Sequence, residues 1–569
     1  MTAMWIIIGY LVVLLALGFG SNRVFRGTSV DYFLASRGVG PFMLLMSLFG
    51  TTMTAFAMVG SSGEASQRGI GVYGLMASSS AIIHALCFFL VGVKLWSLGK
   101  RYGYLTQIEF FRDRFESNGL GLILFPVLVL MLIPYLITGV LGLGSCITGV
   151  TMGAFPDAFP ATNGAVPAWL SEGIIVGVVL VYVFVGGVRG TMWVNLFQNA
   201  LFMTLGVVTM FVIADRLGGW DKATQMVRDN RPSLLKRTFD PADVPRFEAA
   251  EKRYEAKMEL WKETKAKADQ GQAAKAGPPP KRPTKPGIDQ LEFLTYLLIP
   301  FSVATFPHLF QYYLTAKSAK SFKLSVIGHP ICIMITWLPC VLLGVWATSA
   351  MMDGKPVLPP DVDPNRVLAM AVKNLTGPVL GGFMAASVLA TNSLDAQFLV
   401  LGNMFTNDIV AHYAGKERFT DRQLLNIGRA FVVGVVIVTY FISLSEPRAV
   451  FRLGVWCFAG FASLAPLTLA ALYWRRVTKW GAYASVVAAA ATWFAMFRDS
   501  RYGQAESYLP WGMNPVVIVV GASTAALVLV SLMTRPPSAE TVAKFIRPKL
   551  PTLGAHASAA RVAIAGSQR

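Results

Sequence analysis

Thr391, Asn392, Ser393 and Asp395 fall within six residues of one another, in the middle of an otherwise apolar stretch at 378–404. Hydroxyl, amide and carboxylate oxygens this close together can hold a small hard cation, which prefers oxygen ligands. At helical spacing Leu389, Asn392 and Ser393 share one face, and Asp395 borders it. A carboxylate inside a long apolar run is costly unless it meets a cation, a proton or a basic partner. The plainer alternative is a protonated Asp395 bonded to Thr391 or to a neighbouring helix. A second concentration of polar and small residues runs through Gly50, Thr51, Thr52, Met53 and Thr54 to Gly60-Ser61-Ser62-Gly63-Glu64. Such a helix is easily interrupted, and an unwound segment would bare carbonyls to a cation. Close helix packing by small residues accounts for the same composition. A third place holds Pro300 and Pro307-His308. Proline removes a backbone hydrogen bond and kinks a helix. His308 could orient a solute, relay a proton, or simply bond a carbonyl.

These residues need elements to carry them. The chain has 569 residues, 54% hydrophobic and only 14% charged, with a mean hydropathy of +0.53; soluble domains carry about 25% charge. Apolar runs of span length recur near 4–21, 41–62, 72–96, 120–145, 171–187, 191–213, 291–313, 325–350, 378–404, 426–444, 450–474, 480–497 and 514–533. Each can cross ~30 Å of hydrocarbon as a helix, which satisfies its own backbone. The expectation is an all-α integral membrane protein of about thirteen transmembrane helices. Barrel strands would alternate instead. Residues 5–20 read as the first span and not a signal peptide, since no basic residue precedes them and no A-x-A site follows.

The net charge of +19 is spread over short loops and one insert, which argues against nucleic acid and for anionic headgroups. Alternate short loops are richer in Lys and Arg, which predicts an N-terminus outside and a C-terminus in the cytoplasm. The insert at 215–290 then lies outside. Within it, 246–270 reads as an exposed, charge-laced helix and 277–287 as a Pro-rich linker. A solvated decoration is one reading of this insert, and an arm that docks a protein partner is the other. The five Cys are scattered, with no disulfide or metal spacing. No phosphate-binding loop, nucleophile elbow or metal-ligand cluster supports catalysis.

Several segments together resemble the sodium/solute symporter family, which includes proline, pantothenate and sodium/glucose carriers. They are Asp31-Tyr32-Phe33-Leu34-Ala35-Ser36-Arg37, the run from Gly99 to Thr106 with Arg112-Asp113-Arg114-Phe115, and Gly186-Gly187 to Gln198. Pro307-His308 with Ala316-Lys317-Ser318, and Thr406-Asn407-Asp408, complete the set. The resemblance implies a leucine-transporter-like fold, with inverted five-helix repeats formed by spans 2–6 and 7–11. It implies a sodium site of Gly50, Met53, Leu389, Asn392 and Ser393, and no cofactor beyond the sodium ion. The solute would meet Thr54, Phe56, Ala57, Gly60, Phe306 and His308. The chain departs from the family in placing Thr52 and Asn195 where carboxylates occur, Tyr312 where an Arg is common, and Asp395 where a small residue is usual. Asp395 is therefore expected to bring the missing charge to the ion site. Asn195 and Gln198 are expected to satisfy backbone groups at the turn.

The implied domains are 1–214 (first helix plus first repeat), 215–290 (insert), 291–474 (second repeat), 475–535 (two further helices) and 536–569 (basic tail). The implied activity is cation-coupled, sodium-driven symport of a small organic solute by alternating access, in a cell membrane such as the bacterial inner membrane. A proton-coupled or uncoupled carrier on the same scaffold is an alternative. So is a transporter-shaped sensor whose insert binds a partner.

Overall fold

The computed structural model describes residues 2–21, 29–269, 283–352, 354–359, 362–390, 393–445, 449–505 and 508–546. Asn392, Thr391, most of the Pro-rich linker and the tail beyond 546 lie outside the described residues. Ten helices are long and apolar enough to cross a membrane, and two further helix pairs qualify together. One of the ten, Ala168–Arg216, has 49 residues. At 1.5 Å per residue it would run about 70 Å, more than twice the hydrocarbon thickness. It breaks at Gly187, with φ 54° and ψ −155°, a conformation open to glycine. A Cβ there would lie 2.7 Å from the Tyr32 ring. Counted as two spans on either side of Gly187, and with the two bent pairs, the spanning helices among the described residues number thirteen, as the hydropathy pattern predicts.

The bent pairs are the second span, Pro41–Thr52 with Phe56–Arg68 at 55°, and the seventh, Gln290–Ala304 with Pro307–Thr315 at 51°. Met53 ends the first half of the second span with φ −96° and ψ 89°. In the seventh, Pro300 begins a tighter turn at Ile299–Ala304, and Pro307 starts a new helix. Lipid offers no hydrophobic force between spans, so close packing at small residues holds them together. A Cβ on Gly142 would meet that of Ala55 at 2.4 Å, and one on Gly344 would meet the Ser62 carbonyl at 2.3 Å. The fourth and eighth spans thus press directly on the second.

The loop motifs seen in the sequence pair with one another. Arg189 bonds Asp31 at 2.8 Å, and Ser36 donates to the same carboxylate at 2.6 Å. Thr106 donates to Asp408 at 2.9 Å, and Arg112 donates to the Asp408 carbonyl at 2.8 Å. Buried ion pairs pay a desolvation penalty and add specificity more than stability. Here they staple loops that the charge pattern assigns to one side of the membrane.

The insert is more integrated than a solvated decoration. Its helix Val244–Asp269 is mostly exposed, as expected. Its flanks, however, pack on the spans. Trp220 stacks edge-on against Trp346 at 5.2 Å, and Trp346 donates to Thr224 at 3.3 Å. Ile70 N–H bonds the Leu234 carbonyl at 2.9 Å, and Arg68 holds Glu292 at 2.5 Å and the Gly287 carbonyl at 3.0 Å. Among the described residues, β-structure is one antiparallel ladder, Met351 opposite Pro356 and Met352 opposite Lys355, and one parallel bridge between Val39 and Ala316. All five Cys are buried and free.

Candidate ion and solute site

The break in the second span exposes the backbone of Thr51 to Thr54. Tyr135, from the fourth span, donates its hydroxyl to the Thr51 carbonyl at 3.2 Å and also faces Ser393 and Thr54. This one side chain joins the broken helix to the polar stretch of the ninth span. Ser393 starts a new helix there, with φ −104° and ψ 5°, and accepts a hydrogen bond from Gln397 at 2.7 Å. Gly50, Met53, Leu389 and Ser393 are all buried. Gly50 is in addition pinned, since a Cβ would sit 2.8 Å from the Asn199 amide, which itself holds the Met46 carbonyl at 2.6 Å. Bared carbonyls, a serine hydroxyl and a tyrosine hydroxyl form an oxygen-rich setting suited to a hard cation.

Asp395 lies in a neighbouring compartment. One oxygen accepts from the Ala396 N–H at 2.7 Å; the other is buried without a hydrogen-bond partner. The Tyr182 hydroxyl approaches it without completing a bond, and Tyr10 and Tyr312 lie within its electrostatic reach. Asn195 donates to the Tyr312 hydroxyl at 3.5 Å, and Gln198 donates to the Tyr10 hydroxyl at 3.0 Å. The expectation that Asn195 and Gln198 satisfy backbone is therefore corrected: both serve tyrosines, because they lie inside the helix that resumes after the break at Gly187, where backbone groups bond within the helix. Three departures from the family, Asn195, Tyr312 and Asp395, thus converge in one cluster.

The solute residues divide. A small cavity of about 30 Å³ lies at the breaks, lined by Thr52, Met53, Phe56, His84, Tyr135, Phe306 and Phe458, among others. It has room for roughly one water, so the centre is closed in this conformation. Phe56 and Phe306 face it, whereas Thr54, Ala57, Gly60 and His308 are buried outside its lining. A Cβ on Gly60 would lie 3.3 Å from the Phe451 backbone. His308 lies beside Phe306 and Tyr135 at centroid distances of 4.9 and 5.9 Å, and neither ring nitrogen has a hydrogen-bond partner. The simple reading of a histidine bonded to a carbonyl is thereby corrected. Pro307 sets the ring among aromatics, and no carbonyl comes within reach. A wider cleft of about 280 Å³ reaches from Glu64, Arg68 and Glu292 to Phe247 and Glu251 of the insert helix. Sequence reading missed Tyr135, His84, Tyr182 and Phe458. A polar side chain inside an apolar span is the signal that could have found the first three.

The sequence pattern of the sodium:solute symporter family matches residues 32–488. The chain belongs to that family. As a sodium:solute symporter it takes sodium as its coupling ion and is integral to the membrane. It is 22% identical to the osmoregulated proline transporter OpuE of Bacillus subtilis (strain 168), over 93% of this chain and 94% of that one. It is 24% identical to a sodium/proline symporter of Staphylococcus aureus (strain bovine RF122 / ET3-1), over 93% and 92%. Among solved structures, the substrate-bound outward-open state of a Na+-coupled sialic acid symporter aligns with a TM-score of 0.68 at 14% identity, covering 95% of this chain and 99% of that one. A closed nucleobase-cation-symport-1 family transporter with bromovinylhydantoin bound aligns at 0.51 and 12%, covering 90% and 97%. The fold of the symporter is the leucine-transporter-like one, each five-helix repeat opening with a broken span.

Proposed function

We propose that the protein imports a small amino acid of the proline type together with sodium, by alternating access around the two helix breaks. The observation that carries this reading is Tyr135, whose hydroxyl bonds the bared Thr51 carbonyl and faces Ser393 beside an aromatic cavity. Sodium would bind Gly50, Met53, Leu389, Asn392 and Ser393. Asp395 would supply negative charge from the adjacent tyrosine cluster. Phe56 and Phe306 would sandwich the solute, while Thr54, Ala57, Gly60 and His308 would reach it once the centre opens. The proline preference is drawn from the relatives named above. The ion would favour the state with higher solute affinity, since only differential affinity couples the two.

The same reading places the N-terminus and the 215–290 insert outside and the C-terminal tail inside, with the spans divided at 214, 291, 474 and 535. The test is uptake of radiolabelled L-proline into proteoliposomes under an inward sodium gradient. Accumulation with sodium, absent with choline and reduced at least about tenfold in Asp395→Asn, is expected. Sodium-independent uptake would defeat the coupling, and sodium-stimulated flux of another solute would defeat only the proline preference.

A further inference from the structure

Past the thirteenth span, Val516–Met533, the chain turns back and seats a short helix, Ala539–Phe545, on the loops of one membrane face. Pro536 and Pro537 stiffen the connection. Ser538 caps the helix, its hydroxyl accepting from the Thr541 N–H at 3.1 Å. A helix of seven residues does not hold its shape alone in water, so its seat is what keeps it. Phe545 is fully buried, with its ring 6.0 Å from that of Tyr102, 6.1 Å from that of Phe110 and 5.6 Å from the Arg114 guanidinium. Lys544 donates to Asp113 at 2.6 Å, and the Lys544 carbonyl accepts from the Tyr102 hydroxyl at 3.3 Å. Thr541 donates to Glu116.

That seat is where loops of both repeats meet. Tyr102 ends the third span, and Gln107–Phe115 is the helix that leads to the fourth. The turn between them, 103–106, is held from two sides. Arg37, ahead of the second span, donates to the Tyr104 carbonyl at 2.8 Å. From the ninth span Asn403 donates to the Leu105 carbonyl at 3.0 Å, and Asp408 accepts from Thr106. Asp113 takes Lys544 on one oxygen and the Tyr104 hydroxyl on the other. A continuous path of bonds thus runs from the C-terminal helix through Asp113 and Tyr104 to Arg37. Just beyond Arg37, the Val39 N–H bonds the Thr315 carbonyl at 3.1 Å, and the Lys317 N–H bonds the Val39 carbonyl at 2.8 Å. This bridge joins the start of Pro41–Thr52 to the end of Pro307–Thr315, the two half-spans that run from the helix breaks to this face.

We propose that Ala539–Phe545 is a latch, which restrains the centre from opening toward the side that the charge pattern assigns to the cytoplasm. The inference rests on alternating access, and not on the identity of the solute or of the ion ligands. Opening on this face parts the two half-spans and breaks the bridge at Val39. While Phe545 is seated, Lys544 fixes Asp113, Asp113 fixes Tyr104, and the turn that anchors Arg37 is held back from moving with the second span. The seat is also weak enough to release. A single ring supplies most of its apolar contact, and the Lys544 and Asp113 side chains are each 33% exposed, so water can replace their bond. Units held by few buried contacts open locally while the rest of the fold stays intact.

The test is hydrogen–deuterium exchange of the detergent-purified full chain, read by mass spectrometry in peptides that contain Val39 or Lys317. In Phe545→Ala both amides should exchange at least about fivefold faster than in the unaltered chain. Phe545→Leu, which refills the seat, should restore most of the protection. Faster exchange confined to 102–116 would make the helix a clasp on its own loop and overturns the latch. An equal acceleration in the twelfth span, Lys479–Asp499, would mean general loosening and overturns it as well. Should Phe545→Ala fail to fold, Lys544→Ala decides at the same amides, since it leaves the ring seated and cuts the path to Arg37. Exchange at least about twofold faster supports the latch, and unchanged exchange overturns it.

Discussion

The second and seventh spans bend by nearly the same angle, 55° and 51°, but the gaps have different chemistry. At Met53 the gap is made by conformation alone, and its neighbours are oxygen-bearing: the Tyr135 hydroxyl on the Thr51 carbonyl and the Thr52 hydroxyl against His329. At Phe306 the gap is made by proline, and its neighbours are rings. Phe306 lies 4.6 Å from Phe461, 5.4 Å from Tyr135 and 5.7 Å from Phe458. The polar group at this second gap, the Thr305 hydroxyl, is spent on the Phe461 carbonyl at 2.5 Å. One geometry is repeated with two linings, and the proposed function rests on that contrast: bare oxygens can replace the hydration of an ion, and aromatic faces can cover a solute.

The comparison can be broken most forcefully at Phe306. Phe306→Ala removes a ring that is 3% exposed and should cost about 3–5 kcal/mol of stability. Solute uptake should disappear, while a sodium-induced rise in melting temperature survives. Loss of the sodium effect as well would mean that the two gaps are not separable. Next in size is Gly50→Ala, whose methyl group would lie 2.8 Å from the Asn199 amide. Overpacking of about 1–3 kcal/mol is expected, together with loss of the sodium-induced rise. A variant that kept the full rise would exclude Gly50 from the ion site.

Tyr135→Phe sharpens the contrast, because it keeps the ring for the solute side and removes the hydroxyl from the ion side. One hydrogen bond is worth about 1 kcal/mol, so the half-saturating sodium concentration in transport should rise about fivefold, with little change in maximal uptake. The smallest effect belongs to Lys236→Gln in the insert. Lys236 and Asp240 are exposed, and the lysine holds the aspartate below its ordinary range. A depressed carboxylate contributes stability above its usual titration range and loses it as pH falls through the folded-state value. With both groups in water, no change in melting temperature should be measurable near neutral pH.

Much of the architecture was legible because the bilayer constrains it. A span must be apolar and helical, so thirteen runs of the right length match thirteen helices among the described residues, and Pro307 coincides with a break, although Pro134 and Pro339 sit inside unbroken spans. The run from Gly50 to Thr54 likewise marked the other gap. The partners across space were not legible. Tyr135 stands out as a polar side chain in an apolar span, but only packing brings its hydroxyl to Thr51. His84 and His329, whose ring centroids lie 5.2 Å apart, are far apart in sequence and share no spacing that would pair them. Asn195 and Gln198 looked like turn residues because two glycines precede them; a new helix begins after the break at Gly187, they lie inside it, and their amides go to tyrosines. Asp395 was recognised as costly, but the ring of tyrosines around it comes from three other spans.

The first helix stands outside both repeats, yet a Cβ on Gly18 would sit 2.5 Å from that of Tyr182, and Tyr10 receives the Gln198 amide within reach of Asp395. During synthesis, Tyr10 leaves the ribosome long before Asp395. The wall of the acid's compartment is thus built early and waits, and an ionisable side chain emerging into lipid late in translation is costly until that wall receives it. The order of the chain thus puts Tyr10, made first, against a carboxylate made almost four hundred residues later.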